Sequence, residues 1–322
     1  MLAPVYQPVY RPKTKSARPQ TQAQRLEALI GNTPLLDLSR TAVAHGLSPR
    51  VSLFAKAEWF NPGGSVKDRA ALNIIRTAEQ EGKLRPGMTL LDSTSGNTGI
   101  AYAMLGAVRG YRVMLTVPQN VSPERLAILR AYGAELIFTD PLEGTDGALE
   151  EARRLAAANP NLFYARQYDN PANWRAHYQT TANEIWQQTA GTITHFVAGM
   201  GTSGTFVGTT RRLKELNPAI VAHAVQPDSP FNGLEGLKHM ATALKPGIYD
   251  EALADDLRLV RTEEAYNMAR FLARQEGVFV GISAAAAVAA ATAVGQTLAA
   301  GVIVTILPDS GLKYLSERFW SE

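Results

Sequence analysis

The chain has 322 residues, 46% of them apolar, and no cysteine. A globular chain of this length buries roughly 75% of the surface its unfolded form exposes, so it needs no covalent staples. The missing thiols exclude disulfides, thiolate zinc and haem sites, iron–sulfur clusters and cysteine nucleophiles. A net charge of +3 and a pI near 9.0 come without a basic run in the body of the chain, and no nucleic-acid partner is expected.

The surplus charge lies at the start, where Arg11, Lys13, Lys15, Arg18 and Arg25 precede the first acid, Glu27. Pro4, Pro8, Pro12 and Pro19 oppose a helix there. Residues 1–25 therefore read as a flexible or partner-draped arm; an organelle transit peptide, which is an amphipathic helix, is the weaker alternative. No stretch resembles a secretory apolar region, and the alanine-rich tract Ala284–Val294 is too short to span a bilayer. No membrane partner and a cytoplasmic location are expected.

From about residue 50, short apolar runs alternate with helical periodicity. The pattern predicts strand 51–58, helix 68–81, strand 88–92, helix 98–109, strand 111–117, helix 123–131, strand 135–139 and helix 145–158. After the Asn159-Pro160-Asn161 break come helix 172–188, strand 194–198, helix 205–216 and strand 220–225. A Gly/Pro-rich section over 227–246 precedes strand 257–260, helices 263–275 and 284–298, and strand 302–307. The strands are Val/Leu/Ile-rich without alternation, as in parallel sheets covered on both faces. The fold class is therefore α/β with two domains, each an open, mainly parallel twisted sheet covered by helices. The division expected is a smaller domain over 50–160 and a larger one formed by 161–322, with 26–49 folding back onto it.

Two turns share one design. Leu91-Asp92-Ser93-Thr94-Ser95-Gly96-Asn97-Thr98-Gly99 and Val197-Ala198-Gly199-Met200-Gly201-Thr202-Ser203-Gly204-Thr205 each lead from a strand into a helix. Backbone N–H groups, a favourable helix dipole and glycine converge at such turns, which is what an anion site needs; small capping residues at any strand-to-helix turn give the same pattern. Residues 199–204 also fit the dinucleotide fingerprint G-x-G-x-x-G, although the following strand ends in Gln226 where an acid is wanted. In Asn61-Pro62-Gly63-Gly64-Ser65-Val66-Lys67-Asp68-Arg69, a lysine stands at the first turn of an apolar helix. The helix dipole disfavours an ammonium there and suits a neutral amine or a Schiff base. The five histidines show no i,i+4 pair and no carboxylate cluster, so no metal site is expected, and no G-x-S-x-G elbow is present.

These segments, together with Gly31-Asn32-Thr33-Pro34-Leu35, Gly281-Ile282-Ser283 and Pro308-Asp309-Ser310-Gly311, give the chain a recognisable order from residue 26 onward. It resembles the cysteine synthases (O-acetylserine sulfhydrylases) among the fold-type II pyridoxal-phosphate enzymes. Asn170-Pro171-Ala172-Asn173 and residues 236–250 are similar to the B-type branch, which includes enzymes that use O-phosphoserine.

The resemblance implies a pyridoxal 5'-phosphate cofactor in the interdomain cleft, with the Schiff-base lysine and substrate loop on the smaller, mobile domain and the phosphate loop on the larger. It implies that Lys67 forms the Schiff base and shuttles the α-proton, and that Asn97 bonds the ring hydroxyl. By the same likeness Gly201, Thr202, Ser203, Gly204 and Thr205 hold the cofactor phosphate, and Ser283 faces the pyridine nitrogen. Thr94, Ser95, Gly96, Asn97 and Thr98, with Gln167, bind the substrate carboxylate. Lys238 falls where phosphoserine-using relatives carry an arginine; a rim lysine is the plainer reading. Ser203 replaces a common glycine, and Ala284-Ala285-Ala286-Ala287 replaces Ser/Thr-Gly-Ala-Ala. The implied reaction converts O-acetylserine or O-phosphoserine and a sulfur donor into L-cysteine through an α-aminoacrylate. A homodimer and a sulfur-carrier protein are the implied partners. Cystathionine β-synthase-like and serine/threonine dehydratase-like lyases share these loops. The chain ends at Glu322, and no C-terminal regulatory module is expected. From other classes, a nicotinamide oxidoreductase and a non-catalytic binding protein stay open.

Overall fold

The computed structural model describes residues 25–94 and 96–321. The arm expected over residues 1–25 lies outside them except for Arg25, and so does Ser95. In chain order the elements are β1 (Leu35–Asp37), α1 (Ser39–Ala44), β2 (Val51–Ala57), α2 (Lys67–Gln80), β3 (Thr89–Ser93), α3 (Asn97–Arg109), β4 (Arg112–Pro118), α4 (Pro123–Ala131), β5 (Glu135–Thr139), α5 (Gly144–Ala158) and β6 (Leu162–Tyr164). There follow α6 (Pro171–Gln179), α7 (Thr181–Gln188), β7 (His195–Gly199), α8 (Gly204–Leu216), β8 (Val221–Pro227), β9 (Asp256–Val260), α9 (Thr262–Phe271), α10 (Ile282–Gln296) and β10 (Gly301–Leu307).

Among the described residues these build two sheets. The larger has the order β1-β2-β10-β7-β8-β9 and the smaller β5-β4-β3-β6; every pairing is parallel except that of the edge strand β1 with β2. β3 is buried along its whole length and β10 over its last five residues, which explains their uninterrupted apolar sequences. Three apolar clusters follow from this layering, and the one around α3, β3 and β4 also takes in Ile74 and Ile75 of α2. The alanine tract is core packing: Ala284, Ala285 and Ala286 are buried in the cluster beside β10, and Ala287 is buried as well. Helices α6 and α8 approach so closely that a Cβ on Gly208 would collide with the Trp174 carbonyl, so glycine there is a steric requirement.

The expected domain division differs from the observed sheets at both borders. Strand 51–57, expected with the smaller domain, pairs with β10 residue for residue, from Val51 opposite Gly301 to Ala57 opposite Leu307. Leu162–Tyr164, expected with the larger, completes the smaller sheet beside β3. Pairing between strands some 250 residues apart leaves no trace in local periodicity. The helix predicted over 172–188 is two helices, because Thr180 leaves helical geometry at φ −121° and ψ −72°. The one predicted over 263–275 ends at Phe271 and continues as a π-turn over Leu272–Glu276.

Helix α2 starts beside the larger sheet and packs on the smaller, and a buried charge network fixes its first turn. Arg69 donates to both oxygens of Glu58 at 2.7 and 2.9 Å and to both of Glu184 at 2.6 and 2.8 Å. Lys56, fully buried, pairs with Glu184 at 2.7 Å and donates to the Thr33 carbonyl at 2.6 Å. The Thr33 hydroxyl donates to Glu58 at 2.7 Å, and Gly31 N–H to the Asn61 side chain at 2.8 Å. Two of the six sequence motifs thus meet in one neutral cluster of two cations and two carboxylates.

Removing one partner of a buried pair strands the others without compensation, at a cost of about 3–5 kcal/mol. Arg69→Met is therefore expected to lower unfolding stability by about that amount in a urea titration; a change within about 0.5 kcal/mol refutes the role. His177, on α6, exchanges hydrogen bonds with the Thr181 and Thr205 hydroxyls, and burial lowers its pKa from 6.5 to about 3. A lowered imidazole pKa means that the unfolded chain binds the proton first, so this contribution is present above pH 6.5 and is lost as the pH falls toward about 3. The stability difference between wild type and His177→Gln should shrink by about 1.4 kcal/mol per pH unit below 6.5. The difference cancels the buried carboxylates Asp68, Asp92 and Asp309, whose raised pKa values act with opposite sign. A pH-independent difference counts against it.

Candidate active site

The carboxyl ends of β2, β3, β4, β7, β8 and β10 face one cleft, and the loops that leave them line it, as open α/β sheets place their ligand sites. Two adjoining cavities fill it, of about 240 and 60 Å³, sharing Lys67, Asn97, Gly201 and Thr202. The larger is lined by Thr94, Gly96, Thr98, Gln167 and Lys238, and the smaller by Ser203, Thr205 and Ser283. Gly204 begins α8 directly behind the smaller cavity. Thus every residue singled out for this site lies in or against one cleft, apart from Ser95, which is not among the described residues.

Lys67 opens α2 with its backbone N–H on the Ser65 hydroxyl at 3.2 Å. Its Nζ has no hydrogen bond or ion pair with the described residues. Burial pushes its pKa below the ordinary lysine value; Asp309 and Glu58 oppose the shift and Lys313 adds to it. The side chain expected to carry the chemistry is thus a buried amine biased toward its neutral, nucleophilic form. Next to it, Asp68 accepts from Gly63 N–H at 2.5 Å, and burial raises its pKa to about 7.

At the amino end of α3, Gly96 is the capping position and offers no side chain, so the first N–H groups of the helix point at the larger cavity without a cap. Gln167 is braced against this turn: its Oε1 accepts from the Thr98 hydroxyl at 2.7 Å and its Nε2 donates to the Ser93 carbonyl at 3.2 Å. Asn97 donates through Nδ2 to Asp309 at 2.8 Å.

The second turn is built for close approach. A Cβ on Gly201 would meet the Gly236 carbonyl, and one on Gly204 would meet the Asn173 side chain. Ser203 adopts a left-handed conformation at φ +68°, a strained region for a side-chain-bearing residue. Its hydroxyl is buried with no partner, while Thr202 Oγ1 accepts from Asn173 Nδ2 at 3.2 Å. An orphaned hydroxyl, a strained turn and an uncapped 13-residue helix fit a phosphate group, which would satisfy all three. The observed residues therefore fit a phosphorylated cofactor bound here, next to a buried lysine whose pKa is lowered.

Arg125 and Glu235, which the sequence reading did not single out, and Lys238, which it did, complete the cleft. Arg125 of α4 forms a two-pronged pair with Glu235, which lies after β8 in the larger unit, and sits 5.0 Å from the centre of the Tyr314 ring. Lys238 points at the same cavity with Nζ 4.9 Å from the Tyr168 ring centre and no ion pair among the described residues; burial lowers its pKa. Among the described residues no group of His, Asp or Glu could hold a metal ion.

Residues 26–309 match the family model described as "Pyridoxal-phosphate dependent enzyme". The chain is 50% identical to the cysteine synthase of Aquifex aeolicus over 91% of each protein. It is 43% identical to cysteine synthase B of Escherichia coli over 92% of this chain and 96% of that one. Among solved structures, the cysteine synthase (OASS) of Entamoeba histolytica superposes with a TM-score of 0.89 at 36% identity, over 97% of this chain and 95% of that one. The nicotinamide reading of the Gly199–Gly204 turn has no support beside this match. A glycine-rich turn that fits a phosphate, a buried amine facing it and similarity along nearly the whole chain lead to one conclusion: this protein belongs to the pyridoxal-phosphate-dependent enzymes, in the family of the cysteine synthases.

Proposed function

We propose that the protein makes L-cysteine by β-replacement, exchanging the acetate or phosphate of an O-activated L-serine for a sulfur nucleophile. The observation that carries this reading is the unpaired, buried Lys67 amine between the two anion-seeking turns. When bound, pyridoxal phosphate supplies an electron sink for the carbanion at the substrate α-carbon. The turn from Gly201 to Thr205 would hold its phosphate, and Ser283, in the first turn of α10, would supply a neutral hydroxyl to the ring nitrogen. A hydroxyl stabilises a protonated ring nitrogen less than a carboxylate does, which favours elimination at Cβ over transamination.

The α3 amino end binds the substrate carboxylate through the Thr94–Thr98 turn, with Gln167 bracing it, and so orients the α C–H toward Lys67. Lys67 Nζ takes the α-proton, the Cβ–O bond breaks and acetate or phosphate leaves with the electron pair. A sulfur nucleophile then forms the Cβ–S bond, and Lys67 returns the proton to Cα. Lys238 supplies the unpaired positive charge toward which a leaving phosphate is drawn. The Arg125–Glu235 pair spans the two units across the cleft and favours a closed, water-poor site. The family likeness also supports a homodimeric, cytoplasmic transferase, fed by a small sulfur anion or by a sulfur-carrier protein.

A matrix of O-acetylserine, O-phosphoserine and unactivated serine against sulfide, thiosulfate and a thiocarboxylate tests the reading. Cysteine formed from an O-activated serine upholds it; pyruvate and ammonia from serine regardless of sulfur donor favour a dehydratase instead. Lys67→Ala should lower kcat by about 10²–10⁴, and unchanged turnover removes Lys67 from its role. Lys238→Met should raise KM for O-phosphoserine by about 10–100-fold, the worth of one charge-assisted hydrogen bond, and leave O-acetylserine nearly unaffected. Equal effects on both substrates make Lys238 a rim residue.

A further inference from the structure

The segment that follows β10, from Pro308 to Tyr314, is bonded to the loop before Lys67, to the start of α10 and to Asn97. Pro308 O accepts from Val66 N–H at 2.8 Å, next to Lys67, and Asp309 O accepts from Gly281 N–H at 3.1 Å, next to the helix that carries Ser283. Lys313 Nζ donates to Gly64 O at 3.1 Å in the loop before Lys67. These backbone ties make the segment a structural hub, and two of its side chains do something more specific.

Asp309 and Lys313 close on the Asn97 carboxamide from opposite ends. Asp309 Oδ2 accepts from Asn97 Nδ2 at 2.8 Å and from the Tyr314 hydroxyl at 2.9 Å. Lys313 Nζ donates to Asn97 Oδ1 at 2.6 Å. A carboxylate only accepts and an ammonium only donates, so this pair distinguishes the two ends of the amide by chemistry alone. In the flipped state the amide oxygen would face the carboxylate and the NH₂ group the ammonium, with both interactions repulsive at buried positions: Asp309 is 0% and Lys313 8% exposed. Neither residue is among those lining the two cavities; both stand behind Asn97, which lines both.

We propose that Asp309 and Lys313 are positioning residues that lock Asn97 in one flip state, so that the second N–H of its Nδ2 is left to donate to the ring hydroxyl of the bound cofactor. The proposal rests on the reading of Asn97 as that donor. Asp309 serves a second purpose as the shared counter-charge of two buried lysines, Lys67 and Lys313: its carboxylate is the largest favourable charge acting on each. The amide is held by charge, where shape alone would leave its two flip states nearly equivalent.

The absorption spectrum of the bound cofactor, followed against pH in the holoenzyme, tests this. Asn97→Ala should displace the band and its pH midpoint. Asp309→Asn and Lys313→Met should each displace them in the same direction and lower kcat about tenfold, whereas Lys313→Arg, which keeps a donor, should restore the wild-type spectrum. In the Asn97→Ala background the Asp309→Asn and Lys313→Met changes should add no further displacement, because their effect passes through the amide. Asp309→Asn is isosteric and keeps the test open where Lys313→Met does not load the cofactor. Displacement by Asn97→Ala alone, or fully additive displacements, overturns the clamp while leaving Asn97 as the donor. No displacement by Asn97→Ala removes the donor role itself, and the clamp with it.

Discussion

The constraint on which this structure depends is a lysine amine held in a buried cleft without a counter-ion of its own. An ammonium in that position has lost its hydration, and the positive end of α2 adds to the cost. The surroundings meet the constraint by pairing the nearby arginines and Lys56 with other groups. Arg69, two residues along, is saturated by Glu58 and Glu184; Lys56 shares Glu184 and the Thr33 carbonyl; Arg125 is taken by Glu235. What remains is the Lys67 amine, with a lowered pKa and no direct partner among the described residues, and the Asp309 carboxylate, whose hydrogen bonds are directed to Asn97 and Tyr314. The charge network is therefore more than a stabiliser: it keeps competing partners from Lys67.

Around that amine the fold places two similar devices, one from each sheet. Each parallel strand delivers a turn of small residues and the start of a long helix to the same cleft, so that one ligand can be gripped at two negative ends. The two turns differ in how they are completed. The one before α3 leaves its amino end uncapped and braces it with Gln167, while the one before α8 holds a serine in left-handed geometry with its hydroxyl unpaired. The units that carry the turns are tied by buried Arg125 to Glu235 and by the Ser316 hydroxyl on Glu124 at the surface. At the base, the buried charges around Arg69 hold the lysine in register.

The α/β class and nearly every helix and strand after residue 50 were legible, because burial on both faces of a parallel sheet writes itself as short apolar runs. Three short elements, β1, α1 and β6, were not legible: segments of three to six residues carry too little period to stand out. The break at Thr180 and the π-turn after Phe271 were also hidden, since the apolar period runs through both. Lys67, Asn97 and the Gly201–Thr205 turn were visible because anion binding at a helix start needs a local run of small residues. Arg125 and Glu235 left no such signal; each is an ordinary charged residue until the fold brings them together. Asp309 was visible as part of the Pro308–Gly311 segment, but what it holds was not.

The sequence by itself determined the fold class, the two glycine-rich turns, the special position of Lys67 and the resemblance that ties them to one cofactor, since each is encoded within about ten consecutive residues. Tertiary structure alone decided which sheet receives strand 51–57, which charges surround the amine, and which way the Asn97 amide faces. Those outcomes depend on contacts between residues 69 and 184, 97 and 309, and 125 and 235, where desolvation and pairing act across the fold and leave no period along the chain.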